Sequence, residues 1–417
     1  MFTLPLALVR ETFRLWRRHW PPLVALVLAG YVADAWLMRG IVEVGIRNHV
    51  AGLTLLAPLV VVQLVVVVAM FHVLRPSLPS LTQPLAAPAE ATAPADRFTA
   101  VLALALVPFF AYYAAWGFLG ETIREYSLAG LERDPFGQNG GLLDTGKSWG
   151  LVVSVAASWL VRRYAKAREA RKHSPWWQGL IVVCEANWAF IGLFVVTRWK
   201  DVATKWLESR VVWQYVGGAD PAADVAAPVL APTVLDALSN AAQGLFLAAL
   251  LPIVWLALTA LIFGRDLSEK ALLATDKRLE RVVTGYDALP AIVRRFGDDV
   301  VKGYRSRYVP VANSVRLTLH AGLPLLATFC VAYRGLEWLS AYAWIGVTQL
   351  VGPQPLDLWR PLGDALALLV GGPLRTTASL VFEPLRICLL AATLELGVAA
   401  WRARATLIDA TMPQGAH

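Results

Sequence analysis

Residues 51–74 read AGLTLLAPLVVVQLVVVVAMFHVL, with no Asp, Glu, Lys or Arg among them. A helix rises 1.5 Å per residue, so about 20 apolar residues cross a hydrocarbon core of ~30 Å. The same composition recurs at 98–120 and 237–264, and with isolated charges inside the run at 20–38, 173–197 and 376–401. Over the 417 residues 57% are apolar and 16% charged, whereas a soluble globular chain carries roughly 25% charged residues. One core cannot hide that much apolar surface. The expectation is an all-α, polytopic transmembrane helical bundle of about eight spans, at 20–38, 51–74, 98–119, 148–162, 177–198, 240–264, 317–340 and 379–401.

The spans pair into four hairpins: 20–74, 98–172, 173–264 and 317–401. Between and around them lie residues 1–19, a Pro/Ala-rich tether at 75–97, a cytoplasmic helical segment at 265–316 and a tail at 402–417. Lys and Arg concentrate roughly two to one in the segments on the N-terminal side of the membrane, most densely in RRYAKAREARK at 162–172. By the positive-inside rule both termini face the cytoplasm of a bacterial cell, with the bundle in its inner membrane. The fourth span is the short one, because Lys147 and Arg162 bracket it closely.

At the N-terminus, Leu6, Val9, Phe13 and Trp16 fall at helical spacing while Arg10, Arg14, Arg17 and Arg18 fill the other positions. This predicts an interfacial amphipathic helix rather than a cleavable signal, with Pro21 and Pro22 turning the chain into the first span. The stretch LALVRETFRLWRRHWPPLVALVLAGYV at 6–32 looks like the membrane domains of several bacterial protein groups, a likeness that transfers no activity.

One motif invites a nucleotide. Gly141–Ser148, GLLDTGKS, satisfies the phosphate-loop pattern, yet the loop works only with a strand before it and a soluble helix after it. Here it sits in an outer segment with a span following directly, so Asp144 or Thr145 is read as a helix cap and no nucleotide is expected. The histidines at 19, 49, 72, 173, 320 and 417 are scattered, and Cys184, Cys330 and Cys388 lie in apolar runs without metal-ligand spacing. Neither a metal nor a cofactor is expected, and no nucleic acid.

The informative residues are the polar ones within spans: Asp34, Glu185, Asn187, Glu383, Arg386 and Glu395. An ionisable group at membrane depth costs ~2.5–3.5 kcal/mol or more, so each needs a partner. Glu185 lies midway between Lys172 and Arg198, and counting depth from Arg375 and Arg402 puts Arg386 at a similar level. Arg386 is therefore expected to bridge Glu185 and Glu383, leaving Glu395 without an evident cation. Pro384 is expected to free a carbonyl inside the eighth span.

With no catalytic cluster in the outer loops, the leading expectation is a non-enzymatic scaffold or subunit of a larger membrane complex, its partners being lipids and other proteins or a second copy. The alternative is a secondary transporter or channel relaying protons or ions through Glu185, Glu383, Arg386 and Glu395. The orientation has a direct check: a membrane-impermeant thiol reagent should label Ser127→Cys from outside and leave Ser174→Cys unlabelled.

Overall fold

The computed structural model describes residues 3–82, 118–135, 149–172, 175–208, 234–264, 322–372 and 379–411, together with Leu102 and Phe109. The expected third span, the 265–316 segment and the GLLDTGKS loop fall largely or wholly outside these residues, as do the last six residues of the C-terminal tail, whose first part, 402–411, continues the final helix. The described chain is helical, with α1 Thr3–Arg47, α2 His49–Leu74, α3 Pro79–Thr82, α4 Phe118–Arg133 and α5 Trp149–Lys172. There follow α6 Pro175–Glu208, α7 Val234–Gly264, α8 Leu323–Val351, α9 Leu356–Val370 and α10 Phe382–Thr411. Among the described residues α1 and α2 are long and apolar enough to cross a bilayer, and α7 carries a shorter apolar stretch at Ala248–Ala260.

The chain divides into two compact units, one of Met1–Ala35, Val62–Pro108 and Pro252–His417, the other of Trp36–Val61 and Phe109–Leu251.

The first unit is built round α10. Ile387 to Ala392 are buried on every side of the helix, as are Leu394 and Val398, the mark of a core helix rather than a surface one. Phe71 at the end of α2 meets Phe263 at the end of α7 edge-on, with ring centroids 5.7 Å apart. On α8, Phe329 and Tyr333 meet edge-on one turn apart, both buried.

Three expectations change in this unit. Pro21 and Pro22 do not turn the chain, since α1 runs unbroken through both. The reason is packing: Leu8, Thr12, Leu15, Leu23 and Val27 form one buried stripe along α1, while the prolines lie on the exposed side. Two missing N–H groups cost less than interrupting that stripe. Nor is the start of the 75–97 segment a tether. Residues 75–77 form a 3₁₀ turn and 79–82 a short helix, with Ser77, Leu78 and Leu81 buried.

The return from α8 is interrupted. Gly352 and Gly371, at φ of 67° and 87°, end α8 and α9, a backbone conformation open to glycine at little cost. A Cβ on Gly371 would also approach Ser340 Oγ to 2.9 Å. Because α10 begins only at Phe382, Pro384 falls in its first turn, where no intrahelical donor is required, and frees no mid-helix carbonyl.

In the second unit α6 is the buried helix and α5 lies over one side of it. The α1–α2 turn is a single residue, Asn48, whose Oδ1 accepts from the N–H groups of Val50 and Ala51, both at 3.1 Å. This is a helix cap. Close approach does the rest: a Cβ on Gly52 would lie 2.7 Å from Gly45 Cα and collide with the Tyr126 hydroxyl, and one on Gly150 would lie 2.6 Å from Val50 Cγ2. Gly52→Leu should therefore destabilise the protein by about 1–3 kcal/mol, read as a lower melting temperature in detergent, whereas Gly40→Ala, with open space around its Cβ position, should leave it unchanged.

Candidate functional site

Each polar residue singled out within a span has a partner on another part of its own unit or on its own helix. Asp34 accepts from Gln63 Nε2 at 3.2 Å, tying α1 to α2. The others form three clusters.

The first is on α5 and α6. Ser154, Ser158 and Arg162, spaced by four, share one face of α5. Arg162 Nε and Nη2 donate to Glu185 Oε1 at 3.0 and 2.7 Å. Asn187 Nδ2 donates to Ser158 Oγ at 2.6 Å and to Ser154 Oγ at 3.3 Å. Ser154 Oγ also shares a hydrogen bond of 2.8 Å with Thr54 Oγ1 of α2. A polar ladder thus runs through three helices, with Glu185 and Asn187 buried in it. The expected Glu185–Arg386 bridge is replaced by Glu185–Arg162. Arg162 opens the basic run at 162–172, and its side chain reaches back to Glu185.

The second cluster gathers at the start of α10. Arg386 donates to Glu383 at 2.6 Å, and its guanidinium carbon lies 5.1 Å from the Trp255 ring centre. Face-on stacking keeps a desolvated guanidinium in favourable contact when one carboxylate cannot occupy all five of its donors. Tyr333 is buried beside Glu383 and Arg386, and its hydroxyl has no hydrogen-bond partner.

The end of α9 is tied to the residues that lead into this pair, and its last carbonyls are satisfied. The last four carbonyls of α9 each accept a bond: Ala367 from Gly371 N–H at 2.8 Å, Leu368 from Leu380 N–H at 2.9 Å, Leu369 from Val381 N–H at 3.3 Å and Val370 from Ser340 Oγ at 2.7 Å. Ser379 acts in both directions. Its Oγ donates to Leu369 O at 3.1 Å and accepts from Phe382 N–H at 3.1 Å, capping α10.

The third cluster belongs to Glu395, for which no cation was evident in the sequence. Its two carboxylate oxygens accept from the backbone N–H groups of Ser80 at 2.8 Å and Leu81 at 3.2 Å. A carboxylate on the first N–H groups of α3 is the favourable end of a helix terminus. The same short segment is held from the other side by His19, whose Nε2 lies 2.7 Å from Ser77 Oγ. That contact has the spacing of a nucleophile and its base, but Ser77 is buried, which closes it to substrate.

Arg162, Ser154, Ser158, Trp255, Tyr333 and Ser379 were missed as partners. Only the first three left a signal in the sequence, their spacing of four on one face. Among the described residues no group of His, Cys, Asp or Glu could hold a metal. Comparison with known proteins gives no family model, curated protein or solved structure that matches this chain.

The ladder yields a double-mutant cycle. Arg162→Gln removes two charge-assisted hydrogen bonds from buried Glu185 and should cost roughly 3 kcal/mol, and Glu185→Gln should cost less because Arg162 is partly exposed. The double variant should recover part of the loss, measured as a coupling in melting experiments on all four proteins.

Proposed function

We propose that this chain is a non-enzymatic integral membrane protein, a scaffold or subunit of a larger complex, folded as an eight-span bundle with both termini in the cytoplasm of a bacterial inner membrane. The observation that carries the reading is the fate of the buried charges. Glu185 is held by Arg162, Glu383 by Arg386, and Glu395 by two backbone N–H groups. Glu185 and Glu395 each tie a neighbouring element in place, and Glu383 is paired with Arg386 one turn along its own helix. A relay would instead need carboxylates free to exchange partners.

The outward surfaces support the same reading. Trp338, Leu339, Tyr342, Ile345 and Leu350 on α8 and Leu356, Leu358 and Leu369 on α9 are exposed, which suits a surface covered by lipid or by another membrane protein. One observation favours the transporter alternative. Transporters place interrupted helices at their binding sites, and the α9–α10 interruption adjoins Glu383, Arg386 and Tyr333.

Purification in mild detergent, with identification of co-eluting proteins, separates the two. A scaffold or subunit should bring companions in fixed stoichiometry, and Glu383→Gln/Arg386→Gln should keep them. Isolation without companions, together with ion-driven flux in proteoliposomes that this double change abolishes, would overturn the proposal.

A further inference from the structure

The first turns of α1 present three faces. Leu8, Thr12 and Leu15 are buried against the first unit, with His19 following in the same stripe. At 100° per residue, Leu6, Val9, Phe13 and Trp20 centre about 120° round the helix from that stripe. They are exposed by 71%, 47%, 54% and 50%. Arg10, Arg14, Arg17 and Arg18 centre ~95° further on and are exposed as well. Leu6, Val9 and Phe13 of the apolar face expected from the sequence are thus turned away from the protein and joined by Trp20, while Trp16 is only partly exposed; beside them runs the cationic face, with Glu11 paired to Arg14.

Length adds a second constraint. The 45 residues of α1 reach about 68 Å, more than twice a hydrocarbon core. The window free of basic residues between Arg18 and Arg39 already spans the core, so residues 3–18 lie at or beyond its inner boundary. An exposed apolar face flanked by arginines suits neither water nor hydrocarbon, but it suits the zone where phosphates and acyl chains meet.

Resting on the membrane reading above, we propose that this part of α1 binds anionic phospholipid. Arg10, Arg14, Arg17 and Arg18 take the headgroup phosphates, and Leu6, Val9, Phe13 and Trp20 enter the acyl boundary. Charge complementarity selects the ligand: four guanidiniums on one side of a helix are matched by the acidic lipids of a cytoplasmic leaflet and not by zwitterionic ones.

The test uses the full-length protein, offered phosphatidylglycerol or phosphatidylcholine in mixed micelles, with retained lipid read by native mass spectrometry. The wild type should retain phosphatidylglycerol in preference, and high salt should erode the preference. Arg17→Gln/Arg18→Gln should reduce it by about fivefold per arginine, while Arg39→Gln/Arg47→Gln at the far end of the same helix should not. Leu6→Ser/Phe13→Ser should weaken retention of both lipids.

Equal retention of the two lipids by the wild type would overturn the proposal. So would undiminished preference in Arg17→Gln/Arg18→Gln with unchanged melting, or displacement of the lipid by inorganic phosphate, which would mark a free-anion site. Extraction of the protein from membranes by alkaline carbonate would defeat the membrane reading itself. Resistance to carbonate without lipid preference would defeat this inference alone.

Discussion

Four carbonyl oxygens at the end of α9 must find donors where the chain leaves a helix, and much of the first unit follows from how they do so. A backbone polar group buried without a partner costs as much as a lost hydrogen bond or more. Gly371, Leu380 and Val381 supply N–H groups, and Ser340 reaches across from α8. Ser379 then joins the end of one helix to the beginning of the next through a single hydroxyl. The position of α10 is thereby set, and with it the side chains of Glu383 and Arg386 in its first two turns. Trp255 and Tyr333 complete a packed surround that places these charges on protein.

The same rule of local satisfaction operates in the second unit through different groups. Asn187 uses two serine hydroxyls one turn apart, and Glu185 uses the guanidinium one turn further along the same face. Small hydroxyl-bearing residues let α5 come close to α6 and supply the acceptors once it is there. A buried pair of this kind contributes little net stability compared with well-packed apolar residues. Its effect is to penalise every register in which one charge loses the other.

The helical class and the residues that must have partners were legible in the sequence, because both rest on composition and spacing along one chain. The partners themselves were only partly so. Counting depth between Lys172 and Arg198 matched Glu185 with Arg386, whereas Arg162 on the neighbouring α5 turns inward to meet it. Glu395 offered no clue, since its donors are backbone groups that belong to no residue type. Local propensity also misled at Pro21 and Pro22. A proline pair reads as a break, and the buried stripe from Leu8 to Val27 overrides it because packing along several turns outweighs two absent hydrogen bonds. The interruption before α10 was hidden because Ser379 to Trp401 reads as one apolar run.

The turn at Asn48 bears on how such a chain is made. With one residue between α1 and α2, two helices that crossed a bilayer as proposed would have no slack for the first to settle while the second waits outside. The two would leave the ribosome and enter as a closed helical pair, with the carboxamide of Asn48 already holding the bend and Gly45 and Gly52 already in contact. On the membrane reading proposed above, the arginines ahead of the pair would stay behind on the side of synthesis, and the orientation of everything downstream would be decided before the third helix is translated.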